Sequence, residues 1–251
     1  MFHSLYLSSS PCAWPPPPDV DAPFLLREEE GFLASLHHEL GSRPHLLMIA
    51  AAPDDTAFND RLLHDFGDAF RASGWPGLTS HMLDRRNTHH LSHLLQQADL
   101  VLLCGGHVPT QNRFFMGLDL KDHLQAFSGI VLGISAGSMN ASKTVYALPE
   151  EPGESLDPDY RRFLPGLGLT DLHILPHLNE NHSSTLDGKR LYEDIALADS
   201  RILPMLAIPD GSYVLSKNGQ ETLYGEGYLL QQGTMTRISS SGHVMPLLPL
   251  S

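Results

Sequence analysis

Five residues near the middle of the chain have the types and spacing of a nucleophile turn. Gly133-Ile134-Ser135-Ala136-Gly137 matches the pattern G-x-S-x-G, and the apolar run Ile130-Val131-Leu132 precedes it. A serine held in a sharp turn between a strand and a helix needs neighbours without bulk, which the two glycines and Ala136 supply. Such a turn raises the hydroxyl to a place where the first N–H groups of the helix also point. The pattern predicts Ser135 as a nucleophile; the alternative is a tight strand–helix connection that happens to contain serine.

Two further glycines could supply hydrogen-bond donors to the same reaction. The apolar run Leu100 to Cys104 predicts a strand, and Gly105-Gly106 follows at its carboxyl end. Ligands of open parallel sheets bind beyond the carboxyl ends of the strands, so this loop and Ser135 should face one crevice. We therefore expect the backbone N–H groups of Gly106 and Ala136 to form an oxyanion hole, unless the glycines only make a flexible loop.

The elements around these residues predict an α/β fold. Strand-like apolar runs alternate with segments of helical spacing. The runs cover 5–7, 46–52, 78–83, 100–104 and 130–134, and the helical segments cover 28–40, 58–70, 90–97 and 113–127, with a Pro-rich loop at Pro11–Pro18. Strands separated by single helices form βαβ units. We therefore expect a mostly parallel central sheet flanked by helices on both faces.

The regular alternation of strand-like and helical segments ends after Ser135. A loop rich in Pro, Glu and Gly leads to predicted strands at 172–175 and 205–208 and a predicted helix at 188–198. Beyond these, Asn218-Gly219 lies between short strand-like pieces, which is a strong hairpin signal. We expect a small C-terminal antiparallel β meander attached to the main sheet. Because no linker is evident, residues 1–251 are interpreted as one domain.

The overall composition disfavours several classes of partner. The chain has 29 acidic and 16 basic residues, a formal net charge of −13, and no Lys/Arg-rich run. Binding to nucleic acid or to an anionic membrane is therefore not expected. No apolar run is long enough to span a membrane, and the N-terminus lacks a signal-peptide pattern. The two cysteines, Cys12 and Cys104, make no disulfide framework, so the expected compartment is the cytoplasm.

Four segments follow one another in a distinctive order: Ala98 to Gly106, Gly133 to Gly137, Leu172 to His177, and Ala207 to Tyr213. Together they resemble the dipeptidase E and cyanophycinase family of serine peptidases. The resemblance implies a serine peptidase on a glutamine-amidotransferase-like α/β sandwich. We expect the reaction to require no metal and no organic cofactor. The resemblance also implies His177 as general base, Glu150 as the acidic third member of a catalytic triad, and Gly106 and Ala136 as the oxyanion donors.

The residues themselves support His177 in part. It ends a predicted strand at the carboxyl edge of the sheet, where a base for Ser135 should lie. His173 on the same strand and His182 in the following loop compete with it, in a chain that has 15 histidines. The acidic member is also open, because Glu151 could replace Glu150 after a one-residue shift.

Substrate recognition is less well defined. Members of the resembled family that are specific for N-terminal aspartate carry a basic residue soon after the base histidine, whereas here Lys189 and Arg190 arrive later. Arg190 is a candidate carboxylate clamp, and Asn140, after the nucleophile, is a second candidate for substrate binding. We expect a small peptide as the substrate, with Asp-X dipeptides as one option, and a homodimer as one option for assembly.

Three other interpretations stay open. An α/β-hydrolase esterase shares the G-x-S-x-G pattern, although too few strands separate Ser135 from His177 for that architecture. A zinc site could form from His89, His90 and His93, with His64 or His81 as a further ligand, although no H-E-x-x-H motif is present. A non-catalytic, amidotransferase-like binding module would keep the serine turn as a relic.

Overall fold

The centre of the structure, a computed structural model that describes residues 2–12 and 25–248, is an eight-stranded sheet. Within those residues the strands are β1 (Ser4–Ser8), β2 (His45–Ile49), β3 (Thr79–Leu83), β4 (Leu100–Leu103), β5 (Ile130–Ile134), β6 (Thr144–Tyr146), β7 (Phe163–Pro165), β8 (Ile174–Leu175), β9 (Thr185–Leu186), β10 (Lys189–Arg190), β11 (Met205–Ala207), β12 (Tyr213–Lys217), β13 (Gln220–Tyr224), β14 (Gly227–Gln231), β15 (Thr234–Ser239) and β16 (Val244–Pro246). The order in the central sheet is β16-β13-β12-β1-β5-β4-β2-β3.

The helices cover both faces of that sheet. They are α1 (Phe32–Glu39), α2 (Thr56–Ala72), α3 (Leu91–Gln97), α4 (Val108–Gly117), α5 (Leu120–Ala126), α6 (Ala136–Asn140), α7 (Leu178–Asn181) and α8 (Leu197–Asp199), with short 3-10 turns at Glu29–Gly31 and Thr88–His90 and a π-helical segment, Leu191–Ala196, before α8. The side chain of Asp55 accepts a hydrogen bond from the N–H of Phe58, which caps the first turn of α2.

Strands β1, β2, β4 and β5 are buried on both sides because their side chains alternate between two apolar layers, whereas β3 lies at the edge of the sheet and is partly exposed. In β1, Leu5 and Leu7 pack into one layer with α3, α4 and α5, whereas Tyr6 packs into the other with α1 and α2. The neighbours β1–β5, β5–β4, β4–β2 and β2–β3 all pair in parallel. The expected parallel sheet with helices on both faces is therefore confirmed, and the carboxyl ends of these strands meet at one edge.

Two predicted helices are wrong in their bounds. The helix expected at 113–127 is divided into α4 and α5, because Asp119 takes a left-handed conformation (φ 50°) between them. The helix expected from residue 188 begins only at Leu191, because β10 pairs with β9 in a small hairpin. Of the Pro-rich loop expected at Pro11–Pro18, residues 13–18 lie outside the described residues.

The C-terminal strands are antiparallel as expected, but they do not form one meander. Strands β12, β13 and β16 extend the central sheet beside β1, whereas β14 and β15 join β11 and β8 in a second, four-stranded sheet. The chain changes sheet after β13 at Gly225, where φ is +95°. The hairpin expected at Asn218-Gly219 is confirmed, since both residues have positive φ (54° and 76°) and join β12 to β13.

No helix in residues 2–12 or 25–248 combines the length and apolarity that a membrane crossing requires.

Candidate active site

Ser135 lies at the turn between β5 and α6. Its φ of 49° and ψ of −113° are strained values for a residue with a side chain. Strained conformations of this kind concentrate at functional sites because the surrounding structure has to hold them. Here the neighbouring strand contributes, since the N–H of Ser135 donates a 3.0 Å hydrogen bond to the carbonyl oxygen of Ser8 at the end of β1.

The two glycines of the turn are required by close backbone contacts. A Cβ atom on Gly133 would lie 2.8 Å from Cα of Ser138, and one on Gly137 would overlap the carbonyl oxygen of Leu103. Separations this short are not tolerated by real Cβ atoms. The G-x-S-x-G pattern therefore reflects the tight packing of α6 against β4 and β5.

His177 lies within hydrogen-bond distance of Ser135. Its Nε2 is 2.9 Å from Ser135 Oγ, although the two residues are on separate sheets. His177 follows β8 and begins α7 in a left-handed conformation (φ 54°, ψ 42°), which turns its ring toward the end of β5. A hydroxyl beside an imidazole at this distance is the geometry of a serine nucleophile and its base.

The acidic partner of the imidazole is Asp210. Its Oδ1 lies 2.9 Å from Nδ1 of His177. This corrects the expectation for Glu150, because Asp210 and Ser135 already occupy both ring nitrogens. Since a carboxylate only accepts hydrogen bonds, Nδ1–H donates to Asp210, and Nε2 is left to accept from the Ser135 hydroxyl.

Ser9 connects the same residues from the end of β1. Its hydroxyl donates a 2.5 Å hydrogen bond to Asp210 Oδ1, and its Oγ accepts a 2.8 Å hydrogen bond from the backbone N–H of His177. Ser9 is fully buried. It therefore holds the carboxylate and the backbone of the histidine in one arrangement.

The charges of this pair shift both pKa values. Burial alone would lower the pKa of His177, but the hydrogen bond and the negative charge of Asp210 outweigh it and raise that pKa above its ordinary value. Burial would raise the pKa of Asp210, but the hydrogen bonds from His177 and Ser9 outweigh burial and lower it. Asp210 is therefore ionised at neutral pH and stabilises a protonated imidazole.

Glu150 lines the same cleft, but its carboxyl group makes no hydrogen bond to the imidazole of His177. The cleft has a volume of about 340 Å³ and is lined by Gly106, Ser135, Glu150 and His177 together with apolar side chains such as Met139. Removal of water by the surrounding protein, and then the nearby charge of Glu154, raise the pKa of the Glu150 carboxyl to about 7. Much of the residue as a whole is still exposed to solvent.

Gly106 borders the cleft across from the serine turn. Its φ of +154° and the 2.7 Å that would separate a Cβ from Cβ of Ala51 both favour glycine at this position. Among the described residues, the N–H groups of Gly106 and Ala136 have no hydrogen-bond partner. Two unpaired donors beside a serine are what an oxyanion hole requires.

A carboxylate and an imidazole tie the Gly106 loop to the Glu150 loop. His107 Nε2 lies 2.8 Å from Oε1 of Glu154, and Oε2 of Glu154 accepts hydrogen bonds from the backbone N–H groups of Glu150 and Glu151 (2.9 and 3.0 Å). In the described part of the chain, His107, Glu151 and Glu154 are also the group whose ligand atoms lie close enough together to hold a metal ion. The histidines proposed for a zinc site, His89, His90 and His93, do not form such a group there.

The two residues expected to bind substrate have other contacts. Asn140 is fully buried, where it accepts from Asn112 Nδ2 (2.8 Å) and donates to Gln111 Oε1 (3.0 Å). Arg190 is exposed and pairs with Asp194 at 2.6 Å. Neither residue lines the cleft, so the expectation that Asn140 and Arg190 bind substrate is not supported by their positions.

His173 and His182, the other candidate bases for Ser135, make contacts outside the serine turn. His173 Nδ1 bonds the carbonyl oxygen of Pro204 at 3.0 Å, and burial lowers its pKa. The ring of His182 packs on Tyr192, with ring centroids 5.5 Å apart. Neither is a hydrogen-bond partner of Ser135.

Asp210 and Ser9 are the site residues that sequence reasoning missed. Both follow strands whose carboxyl ends point to the site, since Asp210 comes shortly after β11 and Ser9 directly after β1. The register of β1 on β5 places Ser8 opposite Ile134, and so Ser9 level with Ser135. A search for polar residues immediately beyond every predicted strand would have found both.

Comparison with known proteins finds a similar fold. A crystal structure described as a candidate peptidase E from Listeria monocytogenes EGD-e is similar to this chain, with a TM-score of 0.57 and 14% identity over 94% of this chain and 99% of that chain. At this identity the likeness shows the fold alone. No curated protein matches the chain at a significant level.

The family model described as Peptidase family S51 matches residues 32–224, which is well over half of the chain. This match confirms the resemblance to the dipeptidase E family and disfavours an α/β-hydrolase esterase. The chain belongs to peptidase family S51 and is a serine-type peptidase.

Proposed function

We propose that this peptidase hydrolyses an amide bond of a small peptide through an acyl intermediate on Ser135. The observation that carries the proposal is the 2.9 Å separation between Ser135 Oγ and His177 Nε2. A serine hydroxyl is a weak nucleophile unless a base accepts its proton as the new bond forms. The cleft of about 340 Å³ suits a peptide of a few residues rather than a folded protein.

In the first step, Ser135 Oγ attacks the carbonyl carbon and its proton passes to His177 Nε2. Asp210, 2.9 Å from Nδ1, stabilises the imidazolium that results and fixes the ring orientation. The carbonyl oxygen becomes an oxyanion. The free N–H groups of Gly106 and Ala136 are the donors that we assign to it.

In the second step, the C–N bond breaks and the leaving amine takes the proton from Nε2. The acyl group then remains on Ser135 as an ester. Water attacks this ester, with His177 again accepting the proton and returning it to Ser135 Oγ, which releases the carboxylic acid. Each proton in this scheme moves through one imidazole nitrogen, so the scheme calls for no further acid or base.

A fluorophosphonate probe tests the nucleophile directly. The wild-type protein should be labelled on Ser135, whereas Ser135→Ala should not, and His177→Ala should be labelled far more slowly. Turnover of a peptide substrate should fall on the order of 10⁴-fold or more in either variant. A wild-type protein that is folded but not labelled would be a binding module, and the proposal would be wrong.

We also propose the cytoplasm as the compartment. Cys12 and Cys104 are both free and buried, and burial raises the pKa of each thiol to about 12. Buried thiols without a disulfide fit a reducing compartment. Fractionation of cells that express the protein would test this, and recovery with the secreted or membrane fraction would contradict it.

A further inference from the structure

The electrostatic character of the cleft is acidic. Apart from the imidazole of His177, the ionisable side chain that lines it is Glu150, and no Lys or Arg lines it among the described residues. A cleft that selects an acidic side chain would be expected to present a guanidinium or ammonium group to it. This cleft presents a carboxyl group instead.

Three basic side chains, none of which lines the cleft, already have partners. Arg190 pairs with Asp194, and Lys189 Nζ donates to the carbonyl oxygen of Ser155 at 2.6 Å. Arg27, whose charge reaches Asp210, donates to the carbonyl oxygen of Cys12 and pairs with Glu29. To bind a substrate carboxylate, each of these side chains would first have to lose its present partner.

Among the described residues, the carboxyl of Glu150 has no hydrogen-bond partner, in contrast to the carboxyl of Glu154. The carboxylate of Glu154 contacts His107 and two backbone N–H groups. The carboxyl of Glu150 accepts no hydrogen bond from any described residue, and Glu150 lines the cleft together with Ser135. Its carboxylate oxygens are therefore free to accept hydrogen bonds from a ligand in the cleft, and a cationic donor gives the stronger, charge-assisted hydrogen bond.

Resting on the function proposed above, we infer that Glu150 binds a cationic nitrogen of the substrate close to the scissile carbonyl. Glu150 and Ser135 line one cleft, so a peptide with its carbonyl at Ser135 can place an ammonium group at the carboxylate. The ammonium could be the free α-amino group or the side chain of a basic residue. Both present the same N–H donors and the same positive charge.

Four dipeptides separate the sources of that charge. Acetyl-norleucyl-glycine has no ammonium, norleucyl-glycine adds the α-ammonium, and acetyl-lysyl-glycine adds a side-chain ammonium on a similar carbon chain. Aspartyl-glycine adds an acidic side chain to the α-ammonium. The kcat/KM of each would be measured for the wild type, for Glu150→Gln, and for the matched control Glu151→Gln, whose exposed side chain does not line the cleft.

At least one of the two ammonium substrates should exceed acetyl-norleucyl-glycine by about tenfold or more in the wild type. Glu150→Gln should remove that preference, because the loss on the favoured ammonium substrate should exceed the loss on the neutral substrate by about 10- to 100-fold. Glu151→Gln should keep the preference. The favoured ammonium substrate identifies the source of the charge.

The inference would be overturned by either of two results. One is an equal loss on neutral and ammonium substrates in Glu150→Gln, which would mean a structural role. The other is faster cleavage of aspartyl-glycine than of norleucyl-glycine, which would mean that the cleft accommodates an acidic side chain.

Binding to Ser135→Ala separates this inference from the proposed function, because binding needs no chemistry. Calorimetry should show tighter binding of norleucine amide or acetyl-lysine amide than of acetyl-norleucine amide. Adding Glu150→Gln should abolish the difference. If the ammonium ligands bind more tightly in this way while the wild type cleaves none of the dipeptides, the ammonium site is supported and the proposed function is wrong. If the ammonium ligands bind no more tightly than acetyl-norleucine amide, the inference of an ammonium site is wrong.

Discussion

The carboxylate of Asp210 lies 2.9 Å from the ring of His177, and the two residues follow neighbouring parallel strands, β11 and β8. Because the strands run in the same direction, the segments after them leave the sheet at the same edge. Leu175 is paired with Ala207 at the end of this short ladder. The histidine and its acidic partner are thus brought together by strand pairing.

Replacement of this carboxylate should be far more damaging than replacement of the other acidic residue in the cleft. Asp210→Asn keeps the size of the side chain but lets the imidazole adopt the wrong tautomer, so kcat should fall by about 10³- to 10⁴-fold. Glu150→Gln should leave kcat for acetyl-norleucyl-glycine within about threefold of the wild type. Steady-state kinetics on this neutral peptide would measure both, and the reverse ranking would restore Glu150 as the acidic member of the triad.

Ser9 should act as a positioning residue. Ser9→Ala removes a donor to Asp210 and an acceptor for the backbone of His177, so we expect kcat to fall by about 10- to 100-fold with little change in KM. Ser10→Ala is the matched control, because Ser10 Oγ donates to the carbonyl oxygen of Cys12. A rise in KM without a fall in kcat would show that Ser9 contacts the substrate instead.

The pH dependence of the reaction should follow the protonation of His177. The base must be neutral, and Asp210 raises its pKa, so kcat/KM should decline with falling pH from a midpoint above the ordinary value near 6.5. When Asp210 loses its carboxylate, burial is the main remaining influence on the imidazole, and burial lowers the pKa of His177. NMR titration of His177 in Ser135→Ala, with and without Asp210→Asn, should therefore show the midpoint move to lower pH; an unchanged midpoint would contradict this.

The turn that holds Ser135 should not tolerate a methyl group. In Gly137→Ala the new Cβ would overlap the carbonyl oxygen of Leu103, so we expect the free energy of unfolding to fall by about 1–3 kcal/mol. Gly117→Ala is the control, since nothing lies within 4 Å of its Cβ position at the end of α4. Urea denaturation would measure both, and equal stabilities would mean that α6 can move away from β4.

The sequence by itself identifies Ser135 and His177, the residues proposed as nucleophile and base. The turn around Ser135 is a local feature of the sequence. An apolar strand precedes it, and small residues flank the serine on both sides. His177 was found through a resemblance and through its place after a strand. The C-terminal strands were predicted as antiparallel for the same local reasons, but their division between two sheets depends on contacts with β1 and β11 that the local pattern does not contain.

The expectation of Glu150 as the acidic partner of His177 was wrong for a related reason. Glu150 is 15 residues beyond Ser135, whereas Asp210 is separated from Ser9 by 201 residues and from His177 by 33. Nothing in the immediate sequence of either acidic residue tells which one contacts Nδ1. The distinction requires the pairing of β8 with β11.

The amino-acid sequence by itself determined the α/β fold, the serine turn and the kind of chemistry, because these depend on residue type, short-range spacing and periodic burial. Only the tertiary structure decided that Asp210 and Ser9 support the imidazole, that Asn140 and Arg190 do not line the cleft, and that no described residue donates a hydrogen bond to the Glu150 carboxyl. Hydrogen bonds between residues far apart in the chain depend on distances of a few tenths of an ångström, and those distances follow from how the strands are paired.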